Sequence, residues 1–309
     1  MRPLVLALNP SVDVEWRVAH VRWEEKNQVL SERRWPGGKG VNVARWLNHL
    51  GACPRLLIPL GGPTGKEIAA GLRAERVSIS VLPLPAATRT NVIVTAESGG
   101  QLRFNPPGPK LARADWQSIL RCATAELQRA SVLVLSGSLP RGLPTEAYAR
   151  LVRLAHAAGV KTLLDCDGPP LTAAARARPF LVKPNQHELA LWRGQPLSSL
   201  DDIEAAAREL SEVTAGWVLV SLGKNGALLI HALQRIRLTA APPKVQPLNT
   251  VGAGDALLAS VACQVARCAP PAEWLRWGVS AGTAATTCRA GRLAPRSLIA
   301  DIASQTTVR

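Results

Sequence analysis

The chain has 309 residues, 47% hydrophobic and 19% charged, a globular composition long enough for one large core or two modest domains. Its 37 Lys and Arg exceed its 22 Asp and Glu, giving a formal charge of +15. The cations are scattered (Arg33, Arg34, Arg73, Arg76, Arg150, Arg153) and no nucleic-acid motif accompanies them, so the charge reads as attraction for small anions and not for nucleic acid.

The apolar runs Val132–Leu135 and Val218–Val220 have strand length and fall far short of a membrane span. Met1–Asn9 is too short for a signal-peptide core and reads as the first buried strand. Six cysteines without a C-x-x-C pair argue against zinc or a disulfide framework, so a reducing cytoplasm is expected.

In chain order, Pro3–Leu8 reads as a strand, Gly40–Leu50 as a helix stopped by Gly51, Arg55–Leu60 as a strand and Gly65–Arg76 as a helix. Val132–Leu135 is strand-like, Thr145–Ala158 helical, Lys161–Leu164 and Phe180–Val182 strand-like. Leu200–Thr214 is helical, Trp217–Val220 a strand, and Ala253–Ala266, Ala272–Thr286 and Pro295–Ala303 close the chain as helices. The alternation predicts an α/β fold with a mainly parallel sheet in one domain over residues 1–309. Residues 14–35 and 90–104 lack helical period and alternate like strands; they are expected to form a small sheet standing off the body as a lid.

The densest chemistry lies in Asn249-Thr250-Val251-Gly252-Ala253-Gly254-Asp255, directly before a helical run. Two glycines bring bare amides to a helix N-terminus, which favours an anion, and Asp255 adds a carboxylate that can take a proton from a hydroxyl. The combination points to phosphoryl transfer. Gly61-Gly62-Pro63-Thr64-Gly65-Lys66-Glu67 mimics a phosphate-binding P-loop, but Leu60 and Glu67 stand where that loop needs Gly and Ser or Thr. It reads as a turn entering a helix. Pro36–Ala44 is a glycine-rich turn in which Lys39 and Asn42 can bind oxygen-rich groups. Asn185 and Glu188, three apart after the Phe180–Val182 strand, either cap a helix or steer Mg²⁺ through its waters. Ser136–Pro140 and Ser221–Gly226 also follow strands, where ligands lie in open parallel sheets. Asp165 and Asp167 are assigned structural roles.

Together with Asn9-Pro10-Ser11-Val12-Asp13 and Thr88-Arg89-Thr90-Asn91, these segments resemble, in order and over essentially the whole chain, the ribokinase-like PfkB carbohydrate kinases. The likeness is to the phosphosugar branch. One departure is Asn249, where many members carry Asp. The resemblance implies a three-layer αβα sandwich, ATP and Mg²⁺ as cofactors, and a homodimer. It implies transfer of the γ-phosphoryl of ATP to fructose 1-phosphate or fructose 6-phosphate, with tagatose 6-phosphate or a non-catalytic sugar-phosphate sensor as alternatives. Residue by residue, it implies Asp255 as base with Gly252, Ala253 and Gly254 as anion hole. Lys183, Asn185, Glu188, Ser221, Gly223 and Gly226 would serve nucleotide and metal. Asp13, Gly38, Lys39 and Asn42 would bind the sugar, and Arg89, Lys26 and Ser138 its phosphate.

Overall fold

The computed structural model describes residues 1–309. Strand β1 (Leu4–Leu6) leads into β2 (Ser11–Val18) and β3 (Ser31–Gly37), then helix α1 (Lys39–His49), β4 (Arg55–Gly61) and α2 (Gly62–Ala74). Strands β5 (Ser78–Leu84), β6 (Arg89–Ala96) and β7 (Gln101–Phe104) precede α3 (Arg113–Leu127), β8 (Leu133–Ser136) and α4 (Ala147–Ala157). Next come β9 (Thr162–Asp165), α5 (Gly168–Ala175), β10 (Leu181–Val182), α6 (Gln186–Arg193), α7 (Leu200–Thr214) and β11 (Trp217–Ser221). Strands β12 (Ala227–His231) and β13 (Ile236–Ala241), helices α8 (Ala253–Ala266), α9 (Pro271–Thr286) and α10 (Arg296–Gln305), and the short β14 (Thr307–Val308) complete the chain.

Ten strands form the main sheet in the order β14-β13-β12-β11-β10-β9-β8-β1-β4-β5. Its body from β11 to β5 is parallel, and β12 to β14 extend it antiparallel. The parallel strands are apolar on both sides, since helices cover both faces. Val5, Val134, Leu163 and Leu219 meet one layer, containing Val43 of α1, Ile68 of α2 and the buried lengths of α8 and α9. Leu6, Leu135, Leu164 and Val220 meet the other, containing Ile119 of α3, Leu151 of α4 and Leu210 of α7. The expected sandwich is therefore present.

Helix α8 is buried from Asp255 to Val265, an all-round apolar helix of the kind found only inside a domain. It therefore presents its N-terminus to the sheet's carboxyl edge as a fixed, water-poor feature.

The lid is a separate four-stranded sheet, β3-β2-β6-β7, drawn from the two segments that broke the helical rhythm. It rests on the body through Trp35 and Ile93, which pack with Ala290, and through Arg33, whose guanidinium donates to Ala290 O at 3.1 Å. The P-loop mimic becomes the end of β4 and the first turns of α2, with Thr64 donating to Thr88 O (2.6 Å). No helix is long and apolar enough to cross a membrane.

Helix α1 crosses β1 where only glycine fits: a Cβ on Gly40 would lie 2.8 Å from Ala7 Cβ and 2.9 Å from its Cα. Gly40→Ala is expected to overpack this crossing and lower stability by about 1–3 kcal/mol. Urea unfolding followed by circular dichroism measures it, and an unchanged midpoint would show that α1 can move away freely.

Candidate active site

The site assembles where parallel strands end. Ser136, Asp165 and Ser221 are the last residues of β8, β9 and β11, and Lys183 follows β10 directly. Register holds these ends together: Ser136 pairs with Asp165, Lys183 N–H donates to Leu164 O (2.8 Å), and Asn185 bridges Ser221. Opposite them, α8 begins at Gly252, whose φ of 83° is the left-handed conformation glycine adopts freely. Ala256 N–H is the first to make a full helical bond, to Gly252 O (3.0 Å), and Ala253 N–H donates weakly to Thr250 O (3.4 Å), which leaves the Gly252, Gly254 and Asp255 amides of the bend for an anion. A Cβ on Gly254 would come within 3.6 Å of Lys183 Nζ, which places that ammonium over the bend.

Five charged groups meet here. Lys39 Nζ lies 3.1 Å from Asp165 Oδ1 and 3.1 Å from Glu188 Oε1, and Lys183 Nζ lies 3.3 Å from Asp165 Oδ2. Asp255, 6% exposed, accepts a hydrogen bond from Asn42 Nδ2 at 2.8 Å. Lys39 and Asn42 stand three apart in the first turn of α1 and so share a face. Burial alone would raise the Asp165 carboxyl, but Lys183 and Lys39 hold it below its ordinary value. Burial works to lower the Lys39 ammonium, yet Asp165, Glu188 and Asp255 outweigh it and raise its pKa. Burial and then the Asp165 charge push Asp255 up to about 7, against the pull of Asn42, Lys39 and Lys183. A carboxylate so placed is poised to exchange a proton near neutral pH.

Asn185 and Glu188 form a reciprocal capping box at the head of α6: Glu188 N–H donates to Asn185 Oδ1 (2.8 Å) and Asn185 N–H to Glu188 Oε2 (2.9 Å). The capping alternative thus describes the Asn185 side chain and one Glu188 oxygen, while the other Glu188 oxygen faces Lys39. Gly223 and Gly226 bracket a single 3₁₀ turn after β11, both with positive φ. A Cβ on Gly226 would strike Ala240 O, so the turn can lie tight on β13 only with glycine there.

On the lid side, Asp13 accepts from Ser11 Oγ (2.7 Å) and Asn91 Nδ2 (2.9 Å), and burial raises its pKa against those bonds and Arg89. Gly37 and Gly38 run so close that a Cβ on Gly37 would strike the Asp13 carboxylate. Arg89 donates to Pro106 O (2.8 Å) and Asn9 O (3.0 Å), and Asn9 Nδ2 donates to Ser138 Oγ (3.0 Å). Arg89 and Ser138 therefore meet through Asn9. Lys26 is exposed in the connection between β2 and β3 and is not joined to this cluster.

Sequence reasoning gave Asp165 a structural role and assigned none to Asn9 or Asn91 individually. Asn9 and Asn91 lie in segments singled out above, and their roles show only when β2 and β6 pair in parallel register. Asp165 carried a signal, a carboxylate ending a buried strand, but its meaning depends on two lysines from distant segments.

A sandwich with such a carboxylate and anion-binding bend at its strand ends defines a ribokinase-like sugar kinase. The pfkB family carbohydrate kinase profile matches residues 12–296, and the chain belongs to that family. It is 36% identical over 296 residues to ATP-dependent 6-phosphofructokinase isozyme 2 of Escherichia coli strain K12, covering 95% of each chain. It is also 36% identical over 263 residues to 1-phosphofructokinase of Rhodobacter capsulatus, covering 84% of this chain and 83% of that one. The crystal structure of Escherichia coli phosphofructokinase-2 in complex with potassium superposes with a TM-score of 0.93 at 34% identity over 98% of both chains. The chain is thus a phosphotransferase acting on a hydroxyl group.

If Asp255 is the base, kcat/KM should fall as pH drops below about 7, as the free carboxyl protonates. Asn42→Ala removes a bond that favours the ionised form, so the acid limb should move to higher pH. Rates across pH for both proteins test this, and an unmoved limb would remove Asn42 from control of Asp255.

Proposed function

We propose that this chain is an ATP- and Mg²⁺-dependent phosphofructokinase that converts fructose 1-phosphate or fructose 6-phosphate to fructose 1,6-bisphosphate. The observation that carries the reading is Asp255, buried, tuned toward neutrality and set in the first turn of α8 beside amides and an ammonium. The relatives' names support the acceptor class.

Asp255 accepts the proton of the sugar hydroxymethyl as its oxygen forms the new P–O bond and the β,γ-bridging bond breaks. The amides of Gly252, Ala253 and Gly254, with Lys183 above them, stabilise charge on the phosphoryl oxygens, since positioning and electrostatics make up most of such catalysis. Ser221, Gly223 and Gly226 line the nucleotide's approach after β11. Asp13 fixes the sugar hydroxyls, Gly37 and Gly38 let the chain approach closely, and Arg89 with Ser138 takes the existing phosphate.

A divalent cation fits as well. Asp165 Oδ1 and Glu188 Oε1 converge on a single ammonium at 3.1 Å each, so two hard oxygens already surround one positive charge. Bound there, Mg²⁺ would offset phosphate charge, with Asp165 and Glu188 as its protein donors.

The lid leaves Trp23, Val29, Leu30 and Phe104 exposed, Trp23 by 76%, and this apolar surface supports a homodimer formed through the lid. All six cysteines are free thiols, in keeping with a cytoplasmic setting.

A coupled ADP assay comparing kcat/KM for fructose 1-phosphate, fructose 6-phosphate and tagatose 6-phosphate tests the assignment; turnover is expected with a fructose phosphate. Preference for the tagatose ester would transfer the assignment to it, and binding without turnover would leave a sensor.

Asp255→Asn should cost roughly 10²–10⁴-fold in kcat with smaller changes in KM. It should also stabilise the fold. A carboxyl raised from 3.8 to about 7 contributes stability below 3.8 that is lost as pH rises through 7. Neutral Asn escapes that loss, so the variant's Tm advantage should widen between about pH 5 and about pH 8. Near-normal kcat in this variant would remove Asp255 as the base.

A further inference from the structure

Lys39 enters from the sugar-binding turn, yet its ammonium does not face the sugar side. It reaches across to the ends of two other elements, β9 and the α6 cap, and sits between Asp165 and Glu188 at 3.1 Å from each. Lys183 already neutralises the second oxygen of Asp165 at 3.3 Å, and Glu188 Oε2 is held by the Asn185 amide. Only Asp165 Oδ1 and Glu188 Oε1 point into a common space, and a flexible four-carbon stem, 37% exposed, fills it with positive charge. Two carboxylates, 1% and 9% exposed, thus direct one oxygen each at this single ammonium.

We infer that Lys39 is a built-in counter-ion, which occupies the cation position between Asp165 and Glu188 in the metal-free enzyme and withdraws when a divalent cation takes it. The inference rests on the divalent-metal part of the function proposed above. The role follows from geometry: the ammonium holds the two carboxylate oxygens toward one point and so competes with a metal for it. Its withdrawal also releases a cation from two carboxylates toward whatever phosphate has entered with the metal. Lys39 is in this sense a positioning residue, and removing it has an unusual signature. A merely structural loss would weaken metal binding, whereas loss of a competitor strengthens it.

The test is Mn²⁺ binding to the full-length protein at about pH 8, followed by the free-ion electron paramagnetic resonance signal, without nucleotide. Lys39→Met is expected to bind Mn²⁺ at least about tenfold more tightly than wild type, because one positive charge a few ångströms away has left. Glu188→Gln in the Lys39→Met background should abolish the gain. Lys39→Gln serves as a second variant should the methionine protein melt early. Equal or weaker Mn²⁺ binding in folded Lys39 variants would overturn the inference, as would a gain that survives Glu188→Gln. Wild-type protein with a non-hydrolysable ATP analogue, read against the analogue alone, separates the two layers. Mn²⁺ uptake there with no tightening in the Lys39 variants sinks the counter-ion role alone; no uptake there sinks the metal reading itself.

Discussion

The constraint on which the structure turns is the gathering of three buried carboxylates, one buried ammonium and one half-buried ammonium at the carboxyl edge of one sheet. Each charge taken from water carries a desolvation cost of several kcal/mol, recovered only when partners are held in good geometry. Strand register and helix caps supply that geometry here. Asp165 ends a strand paired on both sides, Glu188 is locked in a capping box, and Asp255 begins a helix with nowhere else to go. With five groups so fixed, the field at each is set by the others. Asp165 raises Asp255 while the lysines oppose it, so the pKa of Asp255 is a property of the cluster.

One turn of α1 joins the halves of the molecule. Gly38, at φ 94°, lets the chain leave the lid and start a helix at once, and Lys39 and Asn42 then face the charge cluster and the base. The same helix carries Arg45, which grips Glu75 through two 2.7 Å bonds and Gly291 O at 2.9 Å. Gly291 in turn lies flat against Trp35 of the lid, with no room for a Cβ. A lid displacement would therefore be felt at Gly291 and Arg45, on the helix that orients Asp255. The small sheet and the surroundings of Asp255 thus share a physical connection.

Much of this was legible in the sequence because the signals were local. Continuous apolar runs marked the parallel strands, glycine marked the α1 stop, and loss of helical period marked the lid. Other elements were silent for physical reasons. Strand β5 sits at the sheet's edge with half-exposed alternation, and β12 and β13 depart from the strand–helix rhythm by folding back as an antiparallel extension. Helix α3 follows a proline-rich stretch and has no polar N-cap side chain of its own; Asp115 closes its first turn instead. At the site, Asp255 and its glycines could be read because their chemistry sits in one heptapeptide. Asp165 could not, since nothing within its own neighbourhood distinguishes it from a carboxylate that merely ends a strand.

The lid side carries a different kind of information. Asn9 Oδ1, Arg89 Nε, Asn91 Oδ1 and Ser136 Oγ are buried without a partner in the protein, and all gather around Asp13 and the β8 end. A buried polar atom left unmatched costs about 1–3 kcal/mol, so a core does not collect them without return. Here they are four donors and acceptors held at fixed positions where β2 and β6 pair and β8 ends. Unmet hydrogen bonds thus collect on the lid side, and paired charges on the body side. The single turn at Gly38–Asn42 is the place where the two meet.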